Sequence, residues 1–525
     1  MFNPRNNLYI ILLVITSIIL YALLVEEGLF TVDERSFLYL CMALSDRLSI
    51  DCSPYFSGFH SGSTMGIPLG FFIKDSKVYS IYALGFPLLS IPFYKIFGFY
   101  GLQICNMLLT ILTTVAVFFI SKRIWGDKNT AYISSTLYLF CTYSLFYAVS
   151  LWYHSLITFS FLLSMASVLF FNDRRWIPVF IVSSAVCIWT AYYMFVPILF
   201  LFLFFIYGLE KRGSKVSLSF FLFVILSISW AYNNYVYSAS FTGYLGPVIN
   251  AGHLGETNSF IDLFNRLTSN LIRMLHGFIA MFICRGCVPE NLNTWAWCQK
   301  SILESSPFLI TALPGFIYLF RKGIDARLKF IISSNLAYTL MILYGKTNTF
   351  GSWELSMRYL LPVIPLLVIF SSGFISRFLD YRLLYPLLIV STLFSYFSPT
   401  LFFGFWYHHL SLLLIPLSLG LAAFMSLIWM CQRVGGNFHL DVNTKKFVTA
   451  TLILSLILLS NYININDVKI GNEVRLCSKL LSEKTGKMEI TDPFIFRDNI
   501  KKGPDEVVNI TLSVYDLPLK YEARM

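Results

Sequence analysis

The sequence predicts an all-α, polytopic membrane protein, and three observations support that prediction. Of the 525 residues, 57% are hydrophobic and 18% are aromatic. Lys and Arg (39) together with Asp and Glu (28) make 67 charged residues, whereas a soluble chain carries roughly a quarter of its residues charged. Long apolar runs such as Leu8–Val25 and Phe447–Leu459 take the place of the missing polar residues.

In chain order, apolar stretches bounded by polar or charged breaks predict about thirteen transmembrane helices. The first is treated as a span because Glu26-Glu27 follows it instead of a small-residue cleavage site, although an uncleaved signal anchor has the same pattern. Leu84–Gly98 is shorter and contains Pro87 and Pro92, which predicts an interfacial or re-entrant helix. The thirteen stretches lie near 8–25, 101–121, 129–150, 154–171, 176–193, 194–209, 216–234, 306–320, 328–345, 359–376, 383–400, 409–431 and 447–462.

The net charge of +11 follows this topology. With the N-terminus inside, the predicted cytoplasmic breaks hold 18 of the 39 basic residues, and the short outer breaks at 151–153 and 401–408 hold none. Counting 84–98 as a span would invert the later loops and place these clusters outside. The basic residues are therefore explained by orientation in the membrane, and nucleic acid is excluded as a partner.

Three long polar segments are predicted outside the membrane, at about 26–100, about 235–305 and from about 463. The domain prediction is a membrane domain over 1–462 and an extracytoplasmic C-terminal tail over 463–525. Leucines spaced at fours predict an interfacial helix over about 260–281. Weak alternation over Glu506–Tyr515 predicts a strand in the small tail.

Five of the ten cysteines fall in these outer segments, where an oxidising compartment allows disulfides. Cys284-Arg-Gly-Cys287 has the spacing of a redox or metal pair, but it lacks a second pair or a nearby His motif. A structural disulfide or unpaired thiols are therefore expected, and no metal site is predicted. The five outer cysteines are Cys52, Cys284, Cys287, Cys298 and Cys477.

Two adjacent carboxylates, Asp33 and Glu34, follow the first predicted span at the outer membrane surface. Such a pair suits catalysis because one carboxylate can take a proton while the other binds or orients a substrate. The structural alternative is a helix N-terminus, with Thr31 or Asp33 capping a helix over 36–44. Both interpretations are open on periodicity alone.

Two further clusters lie on the predicted outer face. Lys77, Tyr79 and Tyr82 lead into the interfacial segment, at the level of lipid headgroups, where Tyr is also common as a belt residue. The stretch 351–362 puts Arg358 at the outer start of a span. An Arg there can clamp a lipid phosphate with its planar fork, or it can simply snorkel to the interface.

In their order, these clusters resemble the GT-C membrane glycosyltransferases that use polyprenyl-phosphate sugars. The likeness is to bacterial and archaeal relatives of dolichyl-phosphate-mannose protein mannosyltransferases and of the lipid A aminoarabinose transferase, and it spans about residues 1–376. Five motifs carry it: the acidic pair, Tyr79-Ser-Ile-Tyr82-Ala-Leu-Gly85-Phe-Pro87-Leu-Leu-Ser-Ile-Pro92, Tyr244-Leu-Gly246-Pro247, Ser305-Ser306-Pro307 through Gly315, and Trp353 through Arg358-Tyr359-Leu-Leu-Pro362-Val-Ile-Pro365.

The chain departs from the family pattern at one place before the Ser-Pro span entry. Relatives carry a compact Ser-Pro-x-Arg-Gly-Leu there, whereas this chain has Cys284-Arg285-Gly286-Cys287 and an extra stretch through Cys298. The departure indicates a locally remodelled acceptor side. The tail beyond about 463 matches no pattern of the family.

The resemblance implies a GT-C fold and an inverting transfer of a monosaccharide from a polyprenyl-phosphate sugar, metal-independent or weakly dependent on a divalent cation. The acceptor would be a glycan, lipid or protein on the outer face of a prokaryotic inner membrane. Asp33 would be the general base, and Glu34 would orient donor or acceptor. Arg358, then Lys77, then Arg285 would offset the charge of the leaving phosphate. The remaining substrate-binding candidates are Tyr79, Tyr82, His154, Trp353 and Tyr359.

Other interpretations compete with this one. A lone interfacial His such as His154 also fits a structural role, because its ring is amphipathic. A multi-span transporter or a flippase for lipid-linked sugars is the rival function, and a non-catalytic assembly protein is a third. Ion-coupled transporters usually carry ionisable residues inside their spans, whereas here these residues concentrate at the outer face. That placement favours the transferase.

Overall fold

The structure is a computed structural model, and most of the residues it describes are helical. The described residues are 4–25, 32–55, 71–74, 77–80, 82–173, 175–210, 271–272, 274–283, 301–345, 358–378, 391–392, 508–511 and 520–523.

Up to residue 210, the described chain forms nine helices and one β-hairpin. The hairpin lies between the second and third helices, and its strands β1 (Phe71–Lys74) and β2 (Lys77–Ser80) pair antiparallel with Lys74 opposite Lys77. The helices are α1 (Pro4–Leu24), α2 (Val32–Arg47), α3 (Gly85–Phe97), α4 (Phe99–Trp125), α5 (Lys128–Cys141), α6 (Ser144–Val149), α7 (His154–Leu169), α8 (Trp176–Thr190) and α9 (Phe195–Glu210).

The described part of the C-terminal half continues this helical architecture. An apolar helix, α10 (Met274–Ile283), ends in a π-helical turn. The longer α-helices that follow are α11 (Ala312–Lys322), α12 (Ala326–Gly345) and α13 (Ile364–Phe378), and near the C-terminus β3 (Val508–Thr511) pairs antiparallel with β4 (Lys520–Ala523). The 3₁₀ turns Pro307–Thr311 and Arg358–Val363 lead into α11 and α13.

Eight of the predicted spans each coincide with one described helix, a ninth at 129–150 covers two helices, and the predicted strand in the tail is confirmed as β3. Within the described residues, Phe99–Trp125 and Arg358–Phe378 are long and apolar enough to cross a membrane. The predicted spans at 216–234, 409–431 and 447–462, most of 383–400, and the domain boundary at 462 lie outside the described residues. The count of thirteen therefore stays a prediction.

The prediction of one continuous helix over 129–150 is wrong, because α5 and α6 are separated at Thr142 and Tyr143. Thr142 has an extended backbone, with φ −122° and ψ 154°. Its hydroxyl donates to Tyr138 O (2.7 Å), and the Ser144 hydroxyl donates to the same carbonyl (3.2 Å). Side-chain hydroxyls thus take over a carbonyl at the helix end, which is how Ser and Thr compete with a continuing helix.

The helix predicted in 84–98 is confirmed as the short α3. Its 13 residues span about 20 Å, less than the ~30 Å of a bilayer core. Gly98, with φ +58°, separates α3 from α4 in a conformation that favours glycine. At the start of α3, a Cβ on Gly85 would lie 2.3 Å from Thr190 Oγ1, so this glycine permits the close approach of α3 to α8.

The described helices expose apolar side chains and bury polar ones. On α4, Leu108, Leu112 and Phe119 are each more than 40% exposed. The buried positions of the same helix include the polar residues Gln103, Asn106, Thr110, Thr113 and Thr114. A soluble protein shows the reverse arrangement, whereas a lipid-facing surface requires this one. These helices are those of an integral membrane protein.

Two basic residues predicted to be cytoplasmic, Arg377 and Arg327, each contact another predicted cytoplasmic break. Arg377 lies at the end of α13, with its Cζ 4.5 Å from the centre of the Trp125 ring and its Nη1 3.4 Å from Thr130 Oγ1. Arg327, in the first turn of α12, donates to Asn172 Oδ1 (2.8 Å) after α7. The breaks near 122–128 and 377 therefore come together, as do those near 172 and 327.

The interfacial helix predicted over about 260–281 is helical where it is described, at 271–272 and 274–283. Leu271 and Leu275 are 63% and 58% exposed, as expected for apolar positions of a helix at a membrane surface. The part before residue 271 lies outside the described residues.

Candidate active site

The acidic pair lies in the first turn of α2, which begins at Val32. The predicted capping role of Asp33 is wrong, because Asp33 lies within the helix; Thr31 is outside the described residues. Glu34 is fully buried, and its Oε1 accepts a hydrogen bond from the Leu151 backbone N–H at 2.8 Å. The Asp33 backbone is described but its side chain is not. The second carboxylate thus reaches the turn between α6 and α7.

Asn106 of α4 holds the same turn from another side. Its Nδ2 donates to Ser150 O (2.7 Å) and to Trp152 O (2.8 Å), and Asn106 is fully buried. The sequence interpretation missed this residue. An amide in the predicted span 101–121 was the available signal, since a polar side chain inside a span needs a partner.

An aromatic cluster connects α2, the segment after the hairpin and the α6–α7 turn. The Phe37 ring centre lies 4.5 Å from that of Tyr82 and 5.3 Å from that of Tyr153. Tyr153 stacks on His154 at 4.4 Å, and His154 meets Tyr359 edge-on at 5.3 Å. The predicted residues Tyr82, His154 and Tyr359 therefore belong to one cluster, which Phe37 and Tyr153 complete.

Arg358 lies against this aromatic cluster, just before α13. It begins the 3₁₀ turn Arg358–Val363 and is 7% exposed. Its Cζ lies 4.9 Å from the ring centres of both Trp152 and Tyr359, and its Nη2 donates to the Tyr359 hydroxyl at 3.2 Å. The Tyr338 hydroxyl donates to Tyr359 O. The guanidinium is therefore a buried cation held between two aromatic rings.

Burial keeps the Tyr153 phenol of the aromatic cluster in its neutral form. Burial, and then the neighbouring Tyr193 and Tyr359, raise the pKa of the Tyr153 phenol well above its usual range. Tyr153 consequently retains its proton at neutral pH and acts as a hydrogen-bonding group instead of a base.

The other two predicted residues of this region, Lys77 and Tyr79, lie on the hairpin strand β2. Lys77 is exposed and pairs with Lys74 at the tip of the hairpin. Tyr79 is half-buried and pairs with Phe72 in the next rungs. At about 3.3 Å per strand residue, Lys77 lies roughly 10 Å along the strand from Ser80, where the chain continues toward Tyr82.

Two predicted residues, Arg285 and Trp353, lie outside the described residues, as do Cys284, Cys287, Cys298 and Cys477. Cys52, the one outer cysteine that is described, is a buried free thiol. Among the described residues, no three His, Cys, Asp or Glu side chains gather as metal ligands. Metal dependence stays a prediction.

The structure thus brings together five of the predicted site residues by direct contacts or through shared neighbours. Four of them lie at the starts of α2, α7 and the 3₁₀ turn before α13, and Tyr82 lies between β2 and α3, whereas the basic residues described above lie at the other ends of α7 and α13. The five are Glu34, Tyr82, His154, Arg358 and Tyr359.

Comparisons with known proteins find similarity among solved structures. ArnT from Cupriavidus metallidurans, an aminoarabinose transferase, is 11% identical in its apo state, with a TM-score of 0.48 and coverage of 86% of this chain and 76% of that one. The same protein bound to undecaprenyl phosphate is 12% identical, with a TM-score of 0.44 and coverage of 86% and 77%.

The archaeal oligosaccharyltransferase AglB from Archaeoglobus fulgidus, in complex with an inhibitory peptide and a dolichol-phosphate, is 12% identical. Its TM-score is 0.45, and the match covers 81% of this chain and 56% of that one. No protein-family model and no curated protein matches the sequence. ArnT and AglB are GT-C glycosyltransferases, and at these identities only contacts within this chain inform the roles of its own residues.

Proposed function

We propose that this protein is a membrane glycosyltransferase that moves a monosaccharide from a polyprenyl-phosphate sugar to an acceptor on the extracytoplasmic face, with inversion at the anomeric carbon. The observation that carries the proposal is the buried guanidinium of Arg358 in the aromatic cluster, which the α6–α7 turn links to the acidic pair of α2. The acceptor is a glycan, a lipid or a protein side chain.

Arg358 is proposed to bind the donor phosphate. A guanidinium that is 7% exposed acts in a medium of low dielectric, where its attraction to a phosphate is stronger than in water. As the bond between the anomeric carbon and the phosphate oxygen breaks, the electron pair leaves with the phosphate. A fixed cation stabilises that developing charge.

Asp33 is proposed as the general base. It takes the proton of the acceptor hydroxyl while the hydroxyl oxygen attacks the anomeric carbon from the face opposite the phosphate. A positioned base of this kind contributes about 10² to 10⁴ in rate. The position of Asp33 in the first turn of α2, next to Glu34, supports the assignment.

The aromatic rings of Tyr82 and Tyr153 are proposed to contact the sugar, because rings offer apolar faces and hydroxyl groups together. Lys77, Arg285, Tyr79 and Trp353 keep the secondary donor and acceptor roles that the family resemblance implies. Dependence on a divalent cation belongs to the same proposal and is tested by adding a chelator to the assay.

The deciding experiment is transfer of radiolabelled sugar from a panel of polyprenyl-phosphate monosaccharides, with purified protein and membrane-extract acceptors. The variant Asp33→Asn keeps the size of the side chain and removes the base. Wild type should consume one donor, and Asp33→Asn should transfer at least about a hundredfold more slowly while folding normally.

Two results would contradict the proposal. If wild type consumes no donor, the transferase function fails, and movement of lipid-linked sugar across proteoliposome membranes becomes the next measurement. If the folded Asp33→Asn variant transfers as fast as wild type, Asp33 is not the base, although the transferase function stands.

A further inference from the structure

We propose that Glu34 is a positioning residue which, together with Asn106, anchors the turn between α6 and α7, the turn whose Trp152 contacts Arg358. This inference deepens the proposed function and rests on it. The resemblance assigned Glu34 to the donor or acceptor, whereas the structure shows its Oε1 accepting a hydrogen bond from the Leu151 backbone N–H.

The first step is the hydrogen bonding of the turn. Between α6 and α7, three successive residues each have a backbone group that bonds to a side chain: Ser150 O and Trp152 O accept from Asn106 Nδ2, and Leu151 N–H donates to Glu34 Oε1. Buried backbone groups need partners, and here two other helices supply them. The conformation of the turn therefore depends on Glu34 from α2 and Asn106 from α4.

The second step is what the turn carries. Trp152 lies directly after Leu151, and its ring centre is 4.9 Å from Arg358 Cζ. His154 follows two residues later and lies 5.3 Å from the Tyr359 ring, ring centre to ring centre. A shift of the turn would therefore displace the Trp152 ring beside Arg358 and the His154 ring beside Tyr359. Misplacement of a site by about 1 Å can cost on the order of a hundredfold in rate.

The third step concerns charge. The bond from Leu151 N–H needs an acceptor oxygen, which the amide of a glutamine also supplies. Glu34 as a positioning residue thus tolerates Glu34→Gln far better than Glu34→Ala. A carboxylate that acted as a base or bound a hydroxyl group as a charged acceptor would lose its function in both variants.

The test compares Glu34→Gln, Glu34→Ala and Asn106→Asp with wild type in sugar transfer. Asn106→Asp keeps the shape but removes both donated hydrogens. We expect kcat/KM to stay within about threefold of wild type in Glu34→Gln, and to fall by about tenfold to a hundredfold in Glu34→Ala and Asn106→Asp. Thr113→Val is the matched control, since Thr113 is buried on the same helix and bonds only locally to Leu109 O (2.8 Å) in the contacts described.

Amide hydrogen exchange of peptides covering 150–153 is the second readout, and it can be measured without any sugar donor. Exchange there should rise in Glu34→Ala and Asn106→Asp, and should stay near wild type in Glu34→Gln and Thr113→Val. If wild type transfers no sugar, the proposed function fails, while exchange still reports whether the anchor exists.

Three results would overturn the positioning role. Glu34→Gln could lose as much transfer as Glu34→Ala, which would make the charge essential. Exchange over 150–153 could be unchanged in Glu34→Ala, so that no anchor exists. Exchange could also rise while transfer stays at the wild-type rate, so that the anchor would not serve the reaction.

Discussion

Arg358 and Arg377 lie at opposite ends of one stretch of chain, and each lies over a tryptophan ring. Arg358 Cζ is 4.9 Å from the Trp152 ring centre, and Arg377 Cζ is 4.5 Å from that of Trp125. Arg377 also donates to Gly373 O at 3.0 Å, within its own helix. An Arg–Trp contact therefore lies in the candidate site at one end of this stretch and joins two helices at the other.

The two arginines, Arg358 and Arg377, allow a matched prediction. Arg358→Lys should lower kcat/KM for sugar transfer by about tenfold to a hundredfold, because an ammonium lacks the planar fork that binds phosphate through two bonds. Arg377→Lys should leave kcat/KM near wild type and lower only the apparent unfolding temperature. Equal losses of transfer in the two variants would contradict the phosphate role of Arg358.

At the scale of elements, the hairpin is docked on the segment after α2. Cys52 N–H donates to Val78 O (2.8 Å), and Val78 N–H donates to the Ser53 hydroxyl (2.8 Å). Cys52 is fully buried in a small apolar cluster with Phe71 and Val78. The reactivity of the Cys52 thiol therefore reports whether the hairpin stays docked.

Burial, and then the nearby Asp51 carboxylate, raise the pKa of Cys52 from 9.0 to about 12. At pH 8 the folded protein then holds about a thousandfold less thiolate than a freely exposed cysteine, and thiolate is the reactive form. Alkylation at Cys52, followed by peptide mass spectrometry, should be slow at pH 8 and should rise with pH toward 12.

The raised pKa of Cys52 also makes the stability of the folded protein depend on pH. Because the folded state favours the protonated thiol, the stability that the buried neutral thiol contributes is present below about pH 9 and is lost as pH rises toward 12.

Rapid alkylation of Cys52 at pH 8 in the folded protein would show that the hairpin is not docked. The same reagent on unfolded protein is the control.

At the scale of the whole molecule, the structure separates a site end from a basic end. Lys77 on the hairpin and Lys322 at the end of α11 are both exposed. We expect a membrane-impermeant maleimide to label Lys77→Cys in intact cells and to label Lys322→Cys only after permeabilisation, with peptides identified by mass spectrometry. Labelling of both positions in intact cells would contradict the predicted topology.

The positions of most described helices could be predicted from the sequence, because apolar length and charged breaks are local properties. The break between α5 and α6 could not, since it depends on hydroxyls at Thr142 and Ser144 that compete with the backbone. Within the candidate site, Arg358 and Tyr359 were predicted from a motif and His154 from its position at the outer end of a predicted span. Asn106 was missed because its partners lie more than 40 residues away.

The sequence by itself determined that this is a helical membrane protein with basic breaks and an acidic pair after its first span, because composition and apolar length need no partner to be read. Only the tertiary structure decided that the Glu34 carboxylate holds the backbone at Leu151 and that Trp152 and Tyr359 enclose Arg358. Such contacts join distant helices, and buried polar groups accept whichever partner the packing brings to them.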